Sequence, residues 1–149
     1  MDINNITNIW LEFQGGTLFG EKNHKGVVIA TDGEEKIGIA VAVTSNWVGR
    51  DNARISAKDP EESIVWIRAK AEKASGIVPR DSVIDCGSIK EFTFDKMSLW
   101  LESGKVASIG YNENVKQELL NEIKKGVASS NRVSDFHKNM LKNDTKLSV

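Results

Sequence analysis

Bulky and small apolar residues alternate along "IGIAVAVTS" (37–45): Ile37, Ile39, Val41 and Val43 are interleaved with Gly38, Ala40 and Ala42. A period of two predicts a strand with one bulky face and one small face that packs closely against something. Just before it, "KGVVIAT" (25–31) is a β-branched run, and "DGEEK" with Asp32-Gly33 supplies the turn, so the pair predicts a hairpin. Upstream, "NIWLEF" (8–13) reads as an opening strand that brings Trp10, Leu11 and Phe13 to a core. The loop between them carries Gly15, Gly16 and Gly20 and is expected to be mobile.

After the hairpin the pattern changes. Residues 46–58 show no period and read as irregular. "DPEESIVWIRAKAEKASG" (59–76) predicts a helix, with Asp59 as N-cap, Pro60 in the first turn, Gly76 as C-cap, and Ile64, Ile67, Ala71 and Ala74 as its apolar stripe. Its charges match the helix dipole, Glu61 and Glu62 at the start and Lys70 and Lys73 near the end. Residues 81–94 return to strand, interrupted at Gly87, and 95–104 read as a short helix or turn. A second helix is expected over 112–127, capped by Asn112, with Val115, Leu119, Leu120 and Ile123 on one face. Beyond 128 the chain reads as a polar, solvated C-terminal tail following a 1–127 domain. Val133, Phe136, Met140 and Leu141 are spaced so that a partner-binding helix is the alternative. Short strands with few helices predict an α+β fold: a small curled antiparallel β-barrel with peripheral helices and a C-terminal helix.

Composition narrows this picture only a little. The 149 residues are 40% hydrophobic and 28% charged, an ordinary balance for one globular domain. No apolar run approaches the ~20 residues of a membrane span, the start "MDINNITNIWLEF" does not read as a secretory signal, and no membrane partner is expected. A single Cys86 suits a reducing compartment, so a cytoplasmic location is expected. Two histidines and one cysteine predict no metal site, the glycines form no phosphate loop, and no cofactor is expected. Net charge is −1, with the tail after 128 at +2 and the rest at −3, which leaves room for a local basic groove.

Candidate chemistry gathers at one end of the hairpin. Antiparallel pairing would bring His24 and Lys25, before the first strand, beside Thr44, Ser45 and Asn46, after the second. A base, an ammonium and two hydroxyls there suit a phosphate; the bland alternative is a solvated lysine and ordinary turn chemistry. Cys86, inside an apolar strand, reads as a buried small residue rather than a nucleophile.

Five segments, in order, resemble the MazF/PemK (Kid) toxin endoribonucleases, whose fold ToxN-type toxins share. These are "NIWLEF", "GEKNHKGVVIA", "GIAVAVTSN", "RDSVIDCGSIKEFT" and "GKVASIGYNENVKQELLNEIKKGV", together spanning residues 8 to about 127. The sequence departs from the family pattern at Lys25, where the family has arginine, at Gly26 for proline, and at Gly87 and Ser88 for an acidic-amide pair. The resemblance implies metal-independent cleavage of single-stranded RNA by 2′-hydroxyl attack, and silencing by a cognate antitoxin, either RNA or protein. It also leaves a homo-oligomer open.

On that reading Lys25, Thr44 and Ser45 face the phosphate, and His24 is an acid or base unless it is an idle loop residue. Lysine offers one mobile charge where arginine binds phosphate bidentately, but it can lose its proton and so serve as acid or base. Asn46, Trp47, Arg50 and Arg54 would contact RNA through stacking and charge, and Lys90 stands at a family arginine. Asp81 and Asp85 are substitutes for the missing carboxylate, although neither aligns with it. The rival class is a non-catalytic binding module on the same fold, as in CcdB, or a phage or mobile-element protein that binds a host factor.

Overall fold

The computed structural model describes residues 2–110 and 113–143. The opening strand β1 (Trp10–Phe13) pairs antiparallel with β2 (His24–Asp32), and β2 pairs with β3 (Ile37–Thr44) around the Asp32-Gly33 turn. The Asp32 carboxylate accepts from the amides of Glu34 and Glu35 at 3.0 and 3.1 Å, which locks the turn. The helix α1 (Trp47–Ser56) follows, then β4 (Ile64–Ile67), β5 (Ser82–Asp85), β6 (Lys90–Thr93), α2 (Phe94–Glu102), β7 (Val106–Ser108), α3 (Gln117–Ser129) and α4 (Asp135–Lys142). All named pairings are antiparallel, and seven strands form one sheet in the order β4-β5-β3-β2-β1-β7, with β6 also on β3.

The expected α+β class and antiparallel sheet are present, but the sheet does not close into a barrel. β3 branches: residues 37–40 pair with β6, while Val43 and Thr44 pair with β5. The sheet spreads at this edge, and among the described residues no pairing joins β4 to β7.

Alternation along the hairpin sends side chains to two cores. Trp10, Val27, Ile29, Ile39 and Val41 pack with Leu119, Ile123 and Val127 of α3 and Met140 of α4. Leu11, Phe13, Val28 and Ala40 pack on the other face with Phe92, Phe94, Met97 and Leu101. The small face of β3 now has its reason. A Cβ on Gly38 would run into the ring of Phe92, so only glycine lets that ring lie on the strand.

Several further expectations are corrected. Residues 59–76 are not a helix. Ile64-Val65-Trp66-Ile67 forms β4, flanked by 3-10 turns at Glu61–Ser63 and Glu72–Ala74. The β-branched run pairs with β5 instead, and tertiary pairing outweighs helical punctuation. The irregular 46–58 is α1, whose N-cap Asn46 accepts from Gly49 N at 3.2 Å. The later helix starts at Gln117 with Lys116 at its N-cap position, and the expected cap Asn112 lies outside the described residues.

The segment after 128 is not a solvated tail as far as residue 143. Val133, just before α4, and Met140, within it, are both buried in the first core. The Gly15–Gly20 loop is pinned rather than free: Asn23 Oδ1 accepts from Gly15 N at 2.8 Å, and Phe19 packs edge-on against Phe13.

Asp59, read as a helix cap, instead anchors a buried ion cluster. It accepts from Ser130 Oγ and Asn131 N at 2.5 Å each and from Arg132 Nε at 2.7 Å. Arg132 then donates Nη1 and Nη2 to Asp85 at 2.9 and 2.7 Å. Burial pushes the Asp59 carboxyl up, but the hydrogen bonds from Ser130, Arg132 and Asn131 outweigh it and hold the group below the usual carboxylate range. The break at Gly87 belongs to the same cluster, since a Cβ there would occupy the place of the Arg132 guanidinium.

Candidate functional site

The hairpin register sets the site. Gly26 pairs with Ala42, so His24 and Lys25 arrive beside Val43 and Thr44, where the sequence places them. The contact is direct: His24 Nδ1 lies 3.1 Å from the carbonyl oxygen of Val43. A carbonyl only accepts, so Nδ1 carries the proton, and in the neutral ring Nε2 is left as a lone pair. Phe19 stands edge-on to this imidazole, with ring centroids 6.1 Å apart. Thr44 Oγ1 accepts from Asn46 N at 3.1 Å, which leaves its own proton free to donate outward.

Two clefts open on either side of this strand end. The first, about 310 Å³, is lined by Lys22, Asn23, His24, Lys25, Thr44, Ser45 and Asn46 with Arg80 and Ser82 across it. Its lining holds three cations and no carboxylate, in a chain whose net charge is −1. Among the described residues none of Lys22, Lys25 and Arg80 forms an ion pair. The carboxylate closest in register is Glu12 on β1, opposite Lys25. Such a cleft concentrates positive potential where an anion would sit.

The second cleft, about 280 Å³, is lined by Phe19, His24, Thr44, Asn46, Arg50, Asp85, Ser88 and Lys90. His24, Thr44 and Asn46 form the ridge common to both. The structure therefore divides the expected residues. Lys25 and Ser45 line only the first cleft, and Arg50 and Lys90 only the second.

Two expected RNA contacts stand apart from both clefts. Arg54 donates to Asp51 at 2.8 Å and to the carbonyl of Asp59 at 3.2 Å, so its guanidinium tethers the end of α1. Trp47 lies half-exposed against Trp66, with ring centroids 5.5 Å apart.

Of the two substitute carboxylates, Asp85 shares the second cleft with Thr44, and Asp81 lines neither of the two clefts. Asp85 is buried under Arg132 and also accepts from Ser88 Oγ at 3.0 Å, so it does not point outward. Arg50 reaches this cluster by donating to Ser88 Oγ at 3.2 Å. Asp81 accepts from Ala69 N at 2.9 Å and faces the tryptophans. Cys86 is buried, and burial followed by the neighbouring Asp85 charge pushes its thiol far up, which leaves no thiolate for chemistry.

Sequence reading missed Lys22, Arg80 and Trp66. Arg80 is 35 positions from Ser45, and only the pairing of β3 with β5 brings them together. No periodic signal marks such a neighbour. No helix among the described residues is long and apolar enough to cross a membrane. Compared with protein-family models and with curated proteins, the chain matches none, so the geometry of these clefts carries the functional reading.

Proposed function

We propose that the chain is a cytoplasmic, metal-independent endoribonuclease toxin of the MazF/PemK type, silenced by a cognate antitoxin of RNA or protein. Its sheet would be an opened relative of the small MazF/Kid/CcdB barrel. One observation carries this reading: a cleft with Lys22, Lys25 and Arg80, a histidine and the hydroxyls of Thr44, Ser45 and Ser82, and no carboxylate among its lining residues. That set suits a phosphodiester and repels nothing about it.

The chemistry follows from the same groups. His24 Nε2 takes the proton of a ribose 2′-hydroxyl, whose oxygen attacks the adjacent phosphorus. Charge growing on the phosphorane meets Lys25, Arg80 and the hydroxyls of Thr44 and Ser45, all of which line the cleft. The P–O5′ bond breaks as Lys25 delivers a proton to the leaving oxygen, leaving a 2′,3′-cyclic phosphate.

The test is purified protein with total RNA in EDTA, beside Lys25→Ala and Thr44→Ala. Cleavage with cyclic phosphate ends that falls about 100-fold or more in both variants supports the nuclease. Intact RNA with folded protein favours the second reading, a binding module that poisons a target or binds a host factor. The exposed Trp47, Val48 and Ile55 on α1 are the observation behind that alternative.

A further inference from the structure

Beside the cationic cleft lies a third one, about 250 Å³, lined by Trp47, Trp66, Ile67, Arg68 and Asp81. The two indoles are tilted by 52° and are 46% and 49% exposed. Two exposed aromatics in contact, rimmed by the polar Arg68 and Asp81, form the kind of apolar patch that marks a ligand groove. Two short stretches of chain join this cleft to the cationic one. Ser45 lines the first and Trp47 the third, and the Trp47 amide donates to the Ser45 carbonyl at 2.9 Å. Arg80 lines the first and its neighbour Asp81 the third.

We infer that the Trp47–Trp66 pair is a stacking platform for the unpaired nucleobase next to the phosphate held by Lys25 and Arg80. The inference rests on the RNA reading above and adds a base subsite to it. An indole face takes any base. Asp81 adds a preference, because its carboxylate accepts from N–H donors on a base edge. Its ion pair with Arg68, at 3.5 Å and with side chains 57% and 88% exposed, is weak enough to rearrange. Arg68 is then free for the following phosphate.

The test uses a fluorescent 2′-O-methyl RNA heptamer, which cannot be cleaved because the attacking hydroxyl is blocked, with binding followed by anisotropy at several salt concentrations. Trp47→Ala and Trp66→Ala should each weaken binding about 5- to 100-fold with the salt slope unchanged, and Trp66→Phe should restore part of it. A heptamer with one abasic position at the stacked base should lose the same factor with wild type but not with Trp66→Ala. Unfolding midpoints check that each variant folds; should Trp66→Ala unfold, Trp47→Ala on the exposed helix decides.

Wild-type affinity in both tryptophan variants, with weakening in Arg80→Ala, overturns the stacking platform and leaves the cationic cleft standing. A wild-type protein that does not bind the heptamer even at low salt overturns the RNA reading, and the base subsite with it.

Discussion

Arg132 grips Asp85 through two hydrogen bonds, at 2.9 and 2.7 Å, across 47 positions of sequence. The same guanidinium turns its Nε to Asp59, so one side chain ties the segment after α3 to both the start of the 59–76 region and the end of β5. Both carboxylates are buried, and a buried charge without its partner is costly. Arg132→Met should therefore lower unfolding free energy by about 3–5 kcal/mol, read from urea midpoints. Gly87→Ala should mimic it in part, by pushing the guanidinium off its seat. A midpoint unchanged in Arg132→Met would mean that the cluster does not form.

Acid should unfold the protein partly through Asp59. Its carboxyl sits below the usual range in the fold, so the folded state binds fewer protons there than the unfolded chain. The stabilisation is present above the unfolded value, about 3.9, and is lost as pH falls through the lower folded value. Urea midpoints should fall from about pH 4 downwards, and Asp59→Asn, less stable at neutral pH, should show a shallower fall. Equal slopes in the two proteins would remove Asp59 from the account.

The cationic cleft makes a salt prediction that is separate from catalysis. Lys22→Ala and Arg80→Ala should leave the unfolding free energy within about 0.5 kcal/mol of wild type, since neither residue forms an ion pair among those described. Each should reduce the slope of log affinity against log salt for single-stranded RNA by about 0.7. Unchanged slopes would place the strand elsewhere on the surface.

The end of the described chain can be tested through its core contact. Met140 is 4% exposed and packs into the cluster that holds Trp10 and Ile123. Met140→Ala should cost about 2–5 kcal/mol, and a near-zero change in thermal or urea unfolding would show that α4 detaches in solution.

Much of the centre of this fold is written locally. The alternation in 37–45, the β-branched run in 25–31 and the Asp32-Gly33 turn determine a hairpin, because side-chain period and turn chemistry are properties of neighbouring residues. The hairpin in turn places His24 and Lys25 beside Thr44 and Ser45, so the heart of the candidate site was legible too. What failed was punctuation without a partner. Asp59, Pro60 and Gly76 look like helix ends, yet Ile64–Ile67 found a strand, β5, to pair with, and Asp59 found Arg132. Only the tertiary structure decided those contacts, along with the branching of β3, the arrival of Arg80 and the meeting of Trp47 with Trp66. Each joins residues far apart in sequence, where the free energy comes from burial and charge pairing between segments. No local pattern encodes that.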